Sequence, residues 1–209
     1  MVKTPVSTIS WGCMLLSLMV FWVFPVTAFE KLPPQYYVSY GDPTASLQVT
    51  EYFSLSCPKC LETFKNDFTL LKQKYLDTHQ VHWTFHLNPA DLLTLQAMTC
   101  LEQLSPTEKQ IFWEVVLDTL SDGLDDPTEG CIVMQAAMDA LGKPIPQLSD
   151  LAYLEKTPSF QEAYRYLKQK DTIQELPTVE INGKIYDEFP HFKFLDEQLS
   201  HLSFSKRHS

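Results

Sequence analysis

Two cysteines separated by two residues, Cys57 and Cys60, stand where a strand-like segment meets a helix-like segment. Residues 49–55 are largely apolar, and residues 61–75 carry apolar side chains at intervals of three or four. A thiol at a helix N-terminus faces unpaired backbone N–H groups and the positive end of the helix dipole, which both favour the reactive thiolate. The pair therefore predicts redox chemistry on sulfur. A static disulfide or half of a metal site is the alternative, and we expect no bound metal.

The first 28 residues have the pattern of a secretory signal peptide. Lys3 gives a positive start, residues 11–24 are uncharged and mostly apolar, and Val26 and Ala28 suit the positions before a cleavage point. We therefore expect an exported, periplasmic protein cleaved after Ala28. The alternative is that residues 11–24 are retained as a membrane anchor, with the rest of the chain facing the periplasm.

The net charge limits the possible binding partners, and the number of cysteines limits the possible disulfides. The formal net charge of −10 disfavours nucleic acid, which needs a basic surface. Beyond the signal segment there are four cysteines, an even number that permits two disulfides in an exported protein. The short spacing favours Cys57–Cys60, which leaves Cys100–Cys131 as a structural disulfide. Two buried free thiols are the alternative for Cys100 and Cys131.

The order of predicted elements indicates an α/β protein. Residues 29–37 are predicted to be an extended lead-in. Residues 47–55 and 81–87 are predicted strands on either side of the helix, and strands in such a unit should be parallel. Residues 90–171 are then predicted to be almost entirely helical, in segments over residues 91–104, 106–120, 126–141, 147–155 and 158–171. Ser105 and Glu108 should form a capping box at the start of the second segment.

The C-terminal part returns to strands. Asn182 and Gly183 are typical of a type I′ hairpin turn between two short strands, and a final helix is predicted over residues 192–202. The expected layout is βαβ…ββα with an inserted all-helical subdomain. The predicted divisions are the signal peptide (1–28), the two parts of one sheet-and-helix domain (29–89 and 173–209) and the insertion (90–172).

Three segments, spread in order over residues 41–202, carry a resemblance to a known family. They are the strand with the cysteine pair in residues 41–60, the end of the second strand in residues 85–89, and the Leu-Pro-Thr-strand-Asn-Gly run in residues 175–183. Together they resemble the DsbA-like family of exported thiol–disulfide oxidoreductases. The resemblance implies a thioredoxin-like fold with a helical insertion, and no cofactor beyond the cysteines.

The resemblance also implies roles for individual residues. Cys57 should be the exposed nucleophile and Cys60 the buried resolving thiol. Pro177 should follow a cis peptide bond, and Leu176 before it should offer its backbone to an extended substrate; an ordinary trans proline is the alternative. Some DsbA-like proteins also carry a second disulfide in the helical insertion, as predicted for the other two cysteines.

Three further residues should tune the site. Glu51 matches a carboxylate that lies beneath the active site in the family and assists proton transfer, with an acid paired or solvated at the sheet edge as the alternative. Pro58 and Lys59 should tune the redox potential. Lys59 stands where the family's oxidases have His, and Leu176 where they often have Val.

Two histidines follow the cysteines with a spacing that imitates a zinc finger. His82 and His86 lie on the second predicted strand, and the gap from Cys60 is too long for a finger. Because Val81, Trp83 and Phe85 alternate with them, we expect the strand to bury those three and to expose both histidines.

The expected function is disulfide formation in newly exported or unfolded proteins that contain cysteine, by a monomer that a membrane redox partner reoxidises. A disulfide reductase or isomerase is the close alternative. A thioredoxin-like chaperone or adaptor that binds unfolded clients without turnover is the alternative from another class.

Overall fold

The computed structural model describes residues 31–123, 129–169, 173, 175–186 and 192–206, with side chains as far as residue 201. The predicted signal peptide in residues 1–28 lies outside these ranges. Within them, no helix combines the length and the apolar character needed to cross a membrane.

One mixed sheet of five strands forms the core of the fold. The strands are β1 (Tyr37–Gly41), β2 (Leu47–Phe53), β3 (Val81–Leu87), β4 (Thr178–Ile181) and β5 (Lys184–Tyr186). Their order across the sheet is β1-β3-β2-β4-β5. β2 and β3 are parallel, as the sequence predicts, and the other neighbouring pairs are antiparallel. The βαβ…ββα layout is confirmed.

The edge strand β1 was not predicted, and the extended lead-in expected over residues 29–37 overlaps it only at Tyr37. A 3₁₀ turn at Pro34–Tyr36 precedes it, and Tyr37 then pairs with His86 at the far end of β3. This pairing depends on contacts some fifty residues away, which local patterns do not reveal. The predicted hairpin is present, with positive φ angles at Asn182 and Gly183 between β4 and β5.

The helix after the cysteines is less regular than its sequence suggests. It begins as α1 (Pro58–Thr63), passes through a π-helical turn (Phe64–Phe68) and α2 (Thr69–Leu71), and ends in a second π-helical turn (Lys72–Leu76). The apolar stripe still packs inward, because Phe64, Phe68, Leu71 and Tyr75 are buried, and its first member, Leu61, is partly buried.

In the described parts of the chain, five helices lie between β3 and β4, and one follows β5. They are α3 (Leu92–Leu101), α4 (Pro106–Ser121), α5 (Glu129–Ala140), α6 (Leu151–Leu154), α7 (Pro158–Leu167) and α8 (Phe192–Lys206). The predicted capping box of α4 forms between Ser105 and Glu108. Aromatic side chains join this block to the sheet. The Trp113 ring of α4 lies 5.5 Å from that of Phe53 and 5.7 Å from that of Phe85.

The predicted alternation of buried and exposed side chains along β3 is confirmed on one face of the strand only. Val81, Trp83 and Phe85 are buried as expected, but His86 is also fully buried, so the prediction of a surface histidine there is wrong. Tyr166 of α7 covers the second face, with its ring centroid 5.4 Å from that of His86. The His86 Nε2 accepts a hydrogen bond from the Leu32 N–H at 3.0 Å. Burial lowers the pKa of His86 to about 3, which favours the neutral ring.

Candidate active site

Cys57 occupies the N-cap position of α1, directly after the loop that ends β2. Its backbone is extended, and Pro58 follows at the first helical position, where a missing N–H costs nothing. The Cys57 Sγ accepts a hydrogen bond from the Cys60 N–H at 3.2 Å. The sequence therefore places this thiol against the unpaired N–H groups of the helix end, and its side chain is only partly buried.

The two thiols of the pair differ strongly in proton affinity. The pKa of Cys57 is lowered to about 7, chiefly by the hydrogen bond with the Cys60 thiol and then by the backbone N–H groups of Cys60 and Lys59. The pKa of Cys60 is raised, first by burial and then by the hydrogen bond to Cys57. Near neutral pH the partly exposed sulfur is therefore the one that ionises.

The side chains of the two residues between the cysteines affect the pKa of Cys57 less than the N–H groups of the helix end do. Pro58 and Lys59 are both exposed. The positive charge of Lys59 lowers the pKa of Cys57, but it is the smallest of the favourable contributions. Solvent screens an exposed charge, which explains the modest effect.

The loop before β4 forms the wall beside Cys57. The Leu176–Pro177 peptide bond is cis, as the resemblance implies. The Cys57 thiol donates to the Leu176 carbonyl, with 3.7 Å between sulfur and oxygen. Pro177 is buried, whereas Leu176 is partly exposed. Asn88 steadies this loop from the end of β3, because its side-chain amide donates to the Ile173 carbonyl at 2.8 Å.

Glu51 lies on β2 beneath the cysteine pair, and it is only 3% exposed. Burial raises the pKa of its carboxyl to about 8, and the indole of Trp83 partly opposes the rise. Its charge also acts on both thiols of the pair. Within the described part of the chain, the Glu51 Oε1 has no hydrogen-bond partner. The position is a buried interior one, not the sheet edge that was the alternative.

Cys100 lies in α3 and Cys131 in α5, and Cys131 lines a cavity that Ser56, the residue before Cys57, also lines. None of the four described cysteines is bonded to another in this structure. Burial and the charge of Cys131 raise the pKa of Cys100 to about 12, so the two sulfurs act on each other. The Cys100–Cys131 disulfide remains a prediction.

Sequence reasoning missed a polar cluster on the other side of Cys57. Asp91 caps α3 and also accepts hydrogen bonds from Ser54 and Ser56, which precede Cys57. An Asp three residues before a Thr at the start of a helix is a recognisable cap, so the Asp91–Thr94 cap could have been predicted. Its contact with the cysteine loop could not, because that contact depends on the packing of α3 against β2.

The sheet order, the cysteine pair at the helix end and the cis-proline wall define a thioredoxin-like protein with a helical insertion. Residues 35–201 match the family described as Thioredoxin, and the chain belongs to that family. Among curated proteins, no sequence matches this chain significantly.

Solved structures of similar fold come from several bacteria. Oxidised BdbD from Bacillus subtilis has a TM-score of 0.65 and 18% identity, covering 83% of this chain and 96% of its own. The Wolbachia pipientis protein alpha-DsbA1 has a TM-score of 0.61 and 18% identity, covering 83% and 94%. DsbA from Chlamydia trachomatis has a TM-score of 0.56 and 17% identity, covering 88% and 99%. The chain thus has the DsbA-like form of the thioredoxin fold.

Proposed function

We propose that this protein is an exported thiol–disulfide oxidoreductase that forms disulfides in other exported proteins. The observation that carries the proposal is the Cys57 thiol, partly exposed, with a pKa lowered to about 7 and a buried second thiol three residues away. The likeness to DsbA-type structures supports the same chemistry. A thiol pair of this kind exchanges disulfides through a mixed disulfide with the client.

The proposed cycle begins with the Cys57–Cys60 disulfide. A client thiolate attacks the Cys57 Sγ, the bond between the two cysteines breaks, and Cys60 leaves as a thiolate. A second client thiolate then attacks the client sulfur of the mixed disulfide, which releases a client disulfide and the Cys57 thiolate. Two electrons pass from the client to the protein, and a membrane redox partner removes them to restore the Cys57–Cys60 bond.

Glu51 is proposed to supply the proton that Cys60 takes up as it leaves. Its raised pKa keeps a proton on the carboxyl near neutral pH, directly beneath a thiol whose own pKa is raised. The carboxyl takes a proton back when Cys60 must become a thiolate again. Positioned acids and bases of this kind contribute factors of about 10²–10⁴ in rate.

The direction of exchange follows from which form the protein stabilises. Hydrogen bonds at the helix end stabilise the Cys57 thiolate and therefore the reduced protein, which makes the disulfide more oxidising than that of an unperturbed dithiol. A reductase or isomerase would use the same residues with electrons flowing the other way.

Clients are proposed to be unfolded segments that contain cysteine. The Leu176 carbonyl faces Cys57, and a loop beside a strand can pair with an extended chain. A cavity of about 620 Å³ also opens beside Ser56, between α3 and α5. Leu92 and Ile132 on its rim are 48% and 61% exposed, which suits the apolar stretches of an unfolded chain.

The deciding experiment is the reduction potential of the Cys57–Cys60 pair in glutathione buffers. A value near about −120 mV supports an oxidase, and a value near about −270 mV supports the reductase alternative instead. Cys60→Ala should accumulate mixed disulfides with client proteins, whereas Cys57→Ser should form none. Lys65→Gln is the control, because it changes an exposed side chain further along the same helix and should leave exchange unchanged. If Cys57→Ser still handles clients like the wild type, the protein is a chaperone or adaptor.

A further inference from the structure

The loop between β2 and α1 has its backbone N–H groups paired in an unusual way. The Leu55 N–H donates to the Thr94 Oγ1 at 2.9 Å, and the Ser56 N–H donates to the Ser54 Oγ at 3.1 Å. The Cys57 N–H donates to the Ser54 carbonyl at 3.2 Å. All three N–H groups that lead into the active helix are therefore satisfied, and the first depends on a side chain of α3.

The carboxylate of Asp91 links the cysteine loop to α3 by accepting hydrogen bonds from both. Asp91 Oδ2 accepts from the Ser54 hydroxyl at 2.7 Å and from the Thr94 hydroxyl at 2.7 Å. Asp91 Oδ1 accepts from the Ser56 hydroxyl at 2.9 Å and from the Thr94 N–H at 2.8 Å. A carboxylate has acceptor sites for four donors, and here two come from the cysteine loop and two from α3.

Asp91 belongs to the helical insertion, whereas Ser54 and Ser56 belong to the sheet-and-helix part of the fold. The Leu176 carbonyl contacts Cys57 on one side. On the other side, Asp91 holds the loop that leads to Cys57 through its hydrogen bonds with Ser54 and Ser56. Ser54 is 5% exposed, so little water is available to replace its hydrogen bond to the carboxylate.

We propose that Asp91 is a positioning residue that locks the Ser54–Ser56 loop onto the first turn of α3 and so keeps the Cys57 sulfur against the N–H groups of α1. The proposal rests on the proposed thiol–disulfide function, because it concerns the same site. Asp91 acts through the loop and does not touch the reacting sulfur. Without it, the loop gains freedom, and the hydrogen bond from the Cys60 N–H to the Cys57 Sγ weakens.

The test is the pH dependence of alkylation of Cys57 by iodoacetamide in the reduced full-length protein. For Asp91→Ala we expect the midpoint of the curve to move up by about one pH unit, and the rate at pH 6 to fall roughly tenfold, because a thiolate that loses hydrogen bonds binds its proton more tightly. Ser54→Ala should shift the midpoint in the same direction by less. The double variant should shift it no further than Asp91→Ala, because both changes release the same loop.

Asp150→Ala is the matched control. Asp150 caps α6 in the same helical block by accepting from the N–H groups of Ala152 and Tyr153, and both of these hydrogen bonds stay within α6. Asp150→Ala should lower the free energy of unfolding, because a helix cap is lost, and it should leave the midpoint of the alkylation curve unchanged. Ser54→Ala keeps the cap of α3, so it carries the test if Asp91→Ala does not fold.

An unchanged midpoint in folded Asp91→Ala and Ser54→Ala overturns the proposal, because the cap would then serve stability alone. A midpoint that moves down also overturns it, since the carboxylate would then act on the thiolate as a nearby negative charge. The proposed function fails separately, through an absence of disulfide exchange by the wild type. Alkylation needs no client or redox partner, so the two results are independent.

Discussion

At the scale of single residues, the site depends on a contrast between two cysteines three positions apart. Cys57 lies at the N-terminal end of α1, and its sulfur accepts a hydrogen bond from a backbone N–H group. Cys60 lies in the first turn of the same helix and is fully buried. The first environment stabilises a negative sulfur and the second opposes one. The same short sequence therefore yields one thiol that ionises near neutral pH and one that keeps its proton.

Lys59 should matter less than its place between the cysteines suggests. Because the side chain is exposed and its charge is the weakest favourable influence on Cys57, Lys59→Gln should raise the pKa of Cys57 by less than about one unit. The alkylation profile of the reduced protein measures this shift. Lys65→Gln removes a charge further along the same helix and should leave the profile unchanged. A shift above one unit for Lys59→Gln would mean that charge, not the helix end, controls the thiol.

Glu51 should make the folded protein less stable as the pH rises. Burial raises its pKa from an ordinary 4.5 to about 8, so between these values the folded chain keeps a proton that the unfolded chain has lost. The free energy of unfolding should fall by up to about 1.4 kcal/mol per pH unit from this group. Glu51→Gln should remove that fall, and it should also slow disulfide exchange.

Urea unfolding of the reduced protein at pH 5 and pH 7 checks the Glu51 prediction. Comparing Glu51→Gln with the wild type cancels contributions from other titrating groups. Glu62→Gln, on the exposed side of α1, is the control and should keep the wild-type pH dependence. Equal pH dependence in Glu51→Gln and the wild type would show that the carboxyl ionises as freely in the folded protein as in the unfolded chain.

At the scale of elements, local patterns predicted every strand except β1 and every helix described here. The capping box at Ser105, the Asn182-Gly183 turn and the apolar stripe of Phe64 and Phe68 are local signals, and each was confirmed. The predictions that failed depend on contacts between elements that are distant in sequence. β1 forms because β3 offers it an edge, and His86 is buried because α7 folds back over the second face of the sheet.

The helical block should carry a disulfide between α3 and α5 under oxidising conditions. Closing a loop of this length stabilises a folded chain by about 3–4 kcal/mol in the chain-entropy model. Peptide mapping without reductant should recover Cys100 and Cys131 in one linked peptide pair, and Cys100→Ser should lower the unfolding midpoint of the oxidised protein only. Quantitative alkylation of both thiols in the unreduced protein would contradict the prediction.

At the scale of the whole molecule, the site draws on segments far apart in sequence. Cys57 and Leu176 are 119 positions apart, and Ser54 and Asp91 are 37 apart. The sequence identified the cysteines and the proline loop, because each has a recognisable local motif. It did not identify Asp91 as a neighbour of the cysteine loop, because only the packing of the insertion against β2 brings them together.

The redox state should alter the stability of the whole fold in a pH-dependent way. The folded protein lowers the pKa of Cys57 from 9.0 to about 7, so between these values the unfolded chain binds a proton that the folded chain does not. From pH 7 to pH 9, the reduced protein should therefore gain about 1–2 kcal/mol of stability relative to the oxidised protein, after allowance for solvent screening. Urea unfolding of both forms measures the difference. A difference that stays constant over this range would contradict a stabilised thiolate.

The contact between the Cys57 thiol and the Leu176 carbonyl has a consequence for how the chain is made. A ribosome completes the cysteine pair more than a hundred residues before it reaches Leu176, and the strand that carries this wall into place, β4, comes later still. Until then, the pair lacks its wall and behaves as an ordinary dithiol on an unfolded chain. The active site is therefore complete only once β4 has paired with β2, so a late part of the chain to be made finishes the surroundings of the first cysteine.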